Sequence, residues 1–279
     1  MVVFMKIRIS LLLFFLSTIL YANNNIVPDE RIVYKKTLKG ELRLHVFYPE
    51  NSSVINNRTV VVHFFGGGWK SGSARQFYQQ CKFLVSKGYV AISADYRTMN
   101  SDSVTPFDCV EDARDAIIYI RSNYKKFGIN PQRIFASGGS AGGHIALCTA
   151  VFDSSGEEMI SSKPNALILY NPVLDTTKDG YGMKCFDGNE LSLSPNHNIT
   201  SGLPPTLIMH GTADKTVPYK NALTFKTLMD KYGNDCKLVP FKGADHGFFN
   251  GSFFRKNNGD KNFYCCMKEV ILFLKNTFK

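Results

Sequence analysis

The chain has 279 residues, 44% of them hydrophobic and 20% charged, with 33 Lys and Arg against 23 Asp and Glu for a net charge of +10. That length supports one large core and is too short for two comfortable domains. The cations are scattered rather than clustered, which excludes a nucleic-acid-binding stripe and leaves at most a mild attraction to acidic polymers.

Residues 1–22 read as a secretory signal peptide. Lys6 and Arg8 form a basic start, Ile9 to Leu20 an apolar run, and Ala22 a small residue before a polar stretch. This run is too short and wrongly flanked for a stable membrane span, and nothing later approaches spanning length. The mature protein is therefore expected to be residues 23–279, secreted or periplasmic.

Residues 31–48 predict a hairpin turning at Lys39-Gly40, with Leu42, Leu44 and Val46 on one face. After a polar loop at 51–58, Thr59 to Phe65 is nearly all apolar, as a strand buried on both faces requires. Gly66-Gly67-Gly68-Trp69 follows, then a helix from about Ala74 to Lys87 stopped by Gly88, then a strand from Tyr89 to Asp95. Thr105-Pro106-Phe107-Asp108 is a helix start, and apolar residues at helical spacing run from Val110 to Tyr124 before Gly128. Further strands are expected at 133–137, 166–170, 206–210 and 237–241, with helices at 144–151, at 219–232 and from about 262. An irregular excursion at 175–203 is a possible lid. Strands alternating with helices imply a mainly parallel sheet covered on both faces, with an antiparallel start.

The stretch Arg133 to His144 (RIFASGGSAGGH) places Gly138-Gly139-Ser140-Ala141-Gly142 between a strand and a helix. A G-x-S-x-G segment in that setting is a nucleophile elbow, in which tight backbone leaves no room for side chains two residues either side of the serine. The bland alternative is a Gly-rich loop that only turns the chain, and partners for the serine decide against it. A serine needs a base and a group to orient that base. His246, in Gly243-Ala244-Asp245-His246-Gly247, follows one predicted strand, and Asp214, in Gly211-Thr212-Ala213-Asp214, follows another. Both fall at C-terminal strand ends, where open α/β sheets carry their sites. Asp175 is an alternative acid, while Asp245 is expected to point elsewhere. The other five histidines (45, 63, 144, 197 and 210) are read as structural.

Gly66-Gly67-Gly68 either offers backbone amides for an oxyanion or is only a flexible turn; the Ala141 amide would supply another donor, each contributing roughly 3–4 kcal/mol. Trp69, beside this loop, either walls the substrate pocket or packs beneath the loop; Phe65 is the other candidate pocket residue. The seven cysteines show no zinc spacing, no metal or cofactor is expected, and the odd count leaves at least one thiol unpaired.

HFFGGGWKSG, ADYR, NPQRIFASGGSAGGH, HGTADKTVP and GADHGFF together resemble the α/β-hydrolase superfamily, from about residue 30 to the end. More narrowly they are similar to hormone-sensitive-lipase-like esterases and bacterial carbohydrate acetylesterases. The resemblance implies Ser140 as nucleophile, Asp214 and His246 as its partners, and Gly67, Gly68 and Ala141 as oxyanion donors on an eight-stranded sheet. Phe65 stands where the lipase-like motif H-G-G-G carries histidine, and that branch's N-terminal cap helices are not seen. The expected activity is removal of short acyl groups, acetyl above all, from a saccharide. The expected partner is an ester substrate, with no nucleic acid and no membrane insertion after signal cleavage. A serine peptidase of the prolyl-oligopeptidase type ranks below this because such enzymes carry a large extra domain. A non-catalytic binding protein on a hydrolase scaffold ranks lower still, because all three residue types are retained.

Overall fold

The computed structural model describes residues 25–50, 57–100, 103–152, 160–256 and 259–278; the expected signal peptide lies outside them. Eight strands, β1 (Glu30–Thr37), β2 (Gly40–Phe47), β3 (Arg58–Phe64), β4 (Val90–Ala94), β5 (Ile129–Gly139), β6 (Ala166–Tyr170), β7 (Thr206–Gly211) and β8 (Cys236–Phe241), form one sheet. Their order is β1-β2-β4-β3-β5-β6-β7-β8. The β1–β2 and β2–β4 pairs are antiparallel and all others parallel. This is the mainly parallel sheet with an antiparallel start that the alternation of elements predicts, and the eight-stranded sheet that the α/β-hydrolase resemblance implies.

The apolar runs of the central strands feed two cores at once, because successive side chains point to opposite faces. Val60, Val62, Phe64, Leu167 and Leu169 pack with the helices Pro106–Ser122, Ala141–Val151 and Tyr219–Lys231 on one face. Val61, Ala166, Ile168 and Tyr170 pack with Tyr78–Val85 and Lys261–Thr277 on the other. A strand placed between two helical layers has no polar face, which is why β3, β4 and β6 read as continuous apolar runs.

Two expected helices are interrupted, each for a local reason. The segment at 74–87 begins as a 3-10 turn at Ala74–Phe77 and becomes α-helical only from Tyr78 to Val85, because Ser93 Oγ donates to the Ala74 carbonyl. The helix starting at Pro106 carries the expected cap, with Thr105 and Asp108 bonding reciprocally. It stops at Ser122, where Asn123 Nδ2 turns back to the Tyr119 carbonyl (2.8 Å), and a short turn, Tyr124–Phe127, ends at left-handed Gly128. The excursion at 175–203 holds three 3-10 turns, Met183–Cys185, Glu190–Leu193 and Pro195–His197. Phe186, Leu193, Ile199 and Leu203 anchor it in the core.

Candidate active site

Ser140 directly follows the central strand β5 and precedes the helix Ala141–Val151, with φ 56° and ψ −123°. That left-handed backbone is held by three hydrogen bonds: Ser140 N–H to the Tyr170 carbonyl (3.0 Å), and His144 N–H (3.0 Å) and Val173 N–H (3.3 Å) to the Ser140 carbonyl. The glycines around it leave no choice of residue. A Cβ on Gly142 would lie 2.1 Å from the Phe64 carbonyl oxygen, and one on Gly138 would lie 2.4 Å from Gly142. Close approach of this helix to β3 and β5 therefore requires bare backbone.

His246 and Asp214 arrive from two other strand ends, after β8 and β7. His246 Nε2 lies 2.9 Å from Ser140 Oγ, and His246 Nδ1 lies 2.7 Å from Asp214 Oδ2. Nδ1–H therefore donates to the carboxylate, leaving Nε2 to accept the serine proton. Asp214 Oδ1 accepts the amides of Thr216 (2.8 Å) and Val217 (2.9 Å). Burial alone would raise the Asp214 carboxyl, but hydrogen bonds from His210, His246 and the Val217 amide outweigh it and hold the group well below the usual carboxylate range. Asp175 does not reach the histidine, its Oδ1 being engaged by Thr177 N–H and Oγ1 (2.8 and 2.7 Å). Asp245 turns onto the Gly247 amide (3.0 Å).

The glycine loop passes directly over the elbow, since a Cβ on Gly66 would sit 2.8 Å from the Gly139 carbonyl oxygen. The Gly66 N–H is committed to Gln76 Oε1 (2.6 Å), and Gln76 in turn donates to Asn250 Oδ1 (3.2 Å), so the loop is pinned at its start. Gly67 (φ 139°), Gly68 (φ 63°) and Ser140 line the cleft together with Gly66, Gln76 and Asn250. The cleft is small, about 340 Å³, and its lining includes Tyr181, Thr216, His246, Phe249, Phe254 and Arg255. A wider groove of about 740 Å³ opens at the opposite end of the strands, beside Pro131, Pro164 and Pro204, and contains none of these groups.

The placement of Phe65 and Trp69 on the pocket wall is corrected: both lie under the loop. Phe65 stacks on Tyr96 with ring centroids 4.0 Å apart. Trp69 is fully buried, with Phe186 and His144 edge-on to its ring and Tyr181 tilted against it. These two buried side chains give the loop an apolar footing. Tyr181, from the excursion, reaches the cleft in their place, its hydroxyl lying where a Gly68 side chain would go.

Three contacts of the site were not legible beforehand. Asn171 (φ 34°), just after β6, brings Nδ2 to 3.2 and 3.4 Å from the two ring nitrogens of His246. His210 Nε2 lies 3.0 Å from the Val217 carbonyl and 3.3 Å from Asp214 Oδ2, bracing the acid from the far side. Gln76 is the third. Asn171 and His210 each stand at the C-terminal end of a predicted strand, and that position was their one sequence signal. Among the described residues no group of three or more His, Cys, Asp or Glu side chains could hold a metal ion.

An α/β-hydrolase sheet carrying a Ser-His-Asp chain at its strand ends defines the class. The chain belongs to the BD-FAE family, whose model matches residues 44–189, among the α/β-hydrolase esterases. The dienelactone hydrolase family model matches residues 165–262. Thermogutta terrifontis esterase 2, in a structure phosphoramylated by tabun, superposes with a TM-score of 0.82 at 42% identity, covering 90% of this chain and 95% of that one. An acetylxylan esterase of Xylanibacter ruminicola is 28% identical over 233 residues, 77% of this chain and 45% of its own. A probable isoprenylcysteine alpha-carbonyl methylesterase of Arabidopsis thaliana is 27% identical over 232 residues, 73% of this chain and 48% of its own. The chain thus spans about half the length of the curated relatives it matches.

Proposed function

We propose that this protein is a serine esterase acting on short-chain acyl esters, acetyl esters foremost, and that its natural substrate is an acylated carbohydrate. The observation that carries the reading is the unbroken chain from Ser140 Oγ through His246 to Asp214, at 2.9 and 2.7 Å, assembled from three separate strand ends. Ser140 Oγ bonds to the ester carbonyl carbon while its proton passes to His246 Nε2. The carbonyl oxygen becomes an oxyanion, received by the amides of Gly67, Gly68 and Ala141. The intermediate collapses, the C–O bond to the alcohol breaks, and the alcohol leaves with the proton from Nε2. Water then repeats the sequence on the acyl-serine, releasing the acid and restoring Ser140. Asp214 stays ionised throughout, fixing the imidazole tautomer and stabilising the transient imidazolium.

A small cleft bounded by Tyr181, Phe249 and Phe254 supports a short acyl group. The Thermogutta esterase, described with propionate and with butyrate bound (TM-score 0.80, 40% identity for each), points the same way. The carbohydrate half of the proposal is supported by similarity to the acetylxylan esterase. Export is proposed from Lys6, Arg8 and the apolar run at 9–20; secreted material should begin near Asn23.

The test is kcat/KM on 4-nitrophenyl esters of rising chain length, followed by acetate release from acetylated xylan. Activity should peak at acetate and fall by butyrate, and Ser140→Ala should lower kcat about 10^6-fold. A maximum at octanoate would indicate a lipase, and peptide cleavage without esterolysis would indicate a peptidase. A Ser140→Ala variant that keeps most activity would end the reading.

A further inference from the structure

Arg255 is a charged group in the cleft that the catalytic chemistry above does not use. It shares the cleft lining with Ser140, His246 and Gly68, and no carboxylate belongs to that lining. Its guanidinium lies against the backbone next to the catalytic histidine. A Cβ on Gly247 would meet Arg255 Nη1 at 1.8 Å and Cζ at 2.4 Å, so the guanidinium rests directly on this bare backbone.

The segment that carries Arg255 is pinned rather than loose. Arg255 N–H donates to the Gly251 carbonyl (3.0 Å). Ser252 N–H and Oγ both donate to Asp260 (2.7 and 2.8 Å), and Phe253 N–H donates to Gln79 Oε1 (3.1 Å). Asp260 holds Ser252 and Gln79, Asp245 holds the Gly247 amide, and Asp214 holds His246 and two backbone amides. Among the described residues Arg255 forms no ion pair. Lys70 and Lys215, both exposed on the loops that bear the glycines and Asp214, add charge of the same sign.

A planar cation lying against backbone and lining the cleft, with no ion pair among the described residues, is arranged to receive a planar anion. We propose that Arg255 is an anion subsite, and that this enzyme favours esters carrying a carboxylate close to the scissile bond, as an acylated acidic sugar does. The inference rests on the esterase reading above and narrows its substrate class. An acidic substrate would also be drawn to the site by the net positive charge of the chain.

The test compares two isosteric esters, 3-acetoxybenzoate and 3-acetoxybenzamide, by acetate release at low salt. The wild-type enzyme should favour the anion in kcat/KM by about fivefold, and added salt should shrink the ratio, because an exposed pair is screened. Arg255→Met should bring the ratio to about one, and Arg255→Lys should keep part of it. Benzoate should inhibit the wild type more strongly than benzamide, a readout that needs no variant. The ratio, rather than absolute rate, is the measure, so a general loss of activity in a variant does not imitate the effect. A wild-type enzyme that hydrolyses 4-nitrophenyl acetate but shows no preference for the anion overturns the subsite alone. An unchanged ratio in Arg255→Met does the same. Folded wild-type protein inert toward all three esters overturns the esterase reading beneath it.

Discussion

Replacing Asp214 with asparagine removes one charge and, more damagingly, one acceptor. The Thr216 and Val217 amides donate to Oδ1 and His246 Nδ1–H donates to Oδ2, while His210 Nε2, hydrogen-bonded to the Val217 carbonyl, lies 3.3 Å from Oδ2. An amide offers a single oxygen, so one of these two sets of partners must face its NH2. Turning the NH2 toward the backbone would leave two amides unpaired, at roughly 1–3 kcal/mol each. Turning it toward the histidines costs less, because His246 can move its proton to Nε2 and accept at Nδ1. In that tautomer Nε2 can no longer take the proton of Ser140, which lies 2.9 Å away. The expected loss is about 10^4-fold in kcat, or about 5.5 kcal/mol of transition-state stabilisation. Asp175→Asn is the matched control and should stay within about threefold, because among the described residues its carboxylate accepts hydrogen bonds from Thr177 alone. The assay is kcat for 4-nitrophenyl acetate, with thermal melts to show that both variants fold. Asp214→Asn within tenfold of wild type, or Asp175→Asn equally impaired, would refute the reasoning.

The Asp214 carboxyl titrates lower in the folded protein than in the unfolded chain, where it lies near about 3.9. Its stabilising contribution is therefore complete above that value and is lost as pH falls through the folded pKa, so the gap in Tm between wild type and Asp214→Asn should narrow below about pH 4; a gap that widens on acidification would contradict it. Gly142→Ala puts a methyl 2.1 Å from the Phe64 carbonyl oxygen and 2.3 Å from that of Phe65, so helix and elbow must shift on β3; kcat should drop about 100-fold with circular dichroism little changed. Trp69→Ala removes a fully buried indole from beneath the glycine loop. It should cost about 3–5 kcal/mol and lower Tm by about 10 °C in a calorimetric scan, whereas a wall residue would cost little stability.

Much of this protein follows from short-range pattern. The signal for β3, β4 and β6 is a mostly apolar run, because a strand between two helical layers exposes neither face to water. Glycine spacing around Ser140 marks the elbow because the steric demand is local, confined to residues 138–142 and the strand beside them. Capping at Thr105 is equally local, settled within four residues. The loops bearing Asp214 and His246 stand out because each directly follows an apolar strand, and a parallel sheet brings such ends to one edge.

What tertiary structure alone decided are the contacts between residues far apart in the chain. Asp214 is favoured over Asp175 by its short loop beside the histidine strand, but where each carboxylate points is fixed by Thr216, Val217 and Thr177. Trp69 lies next to the cleft in sequence yet faces away from it, because left-handed backbone at Trp69 (φ 61°) turns the ring onto His144 and Phe186. Tyr181 and Arg255 reach the cleft from segments without regular periodicity, and Gln76 and Asn250 meet across 174 residues. Hydrophobic periodicity reports how an element sits on its own sheet or helix layer. The direction of a polar side chain at a strand end is set by partners from other strands, and no local pattern encodes them.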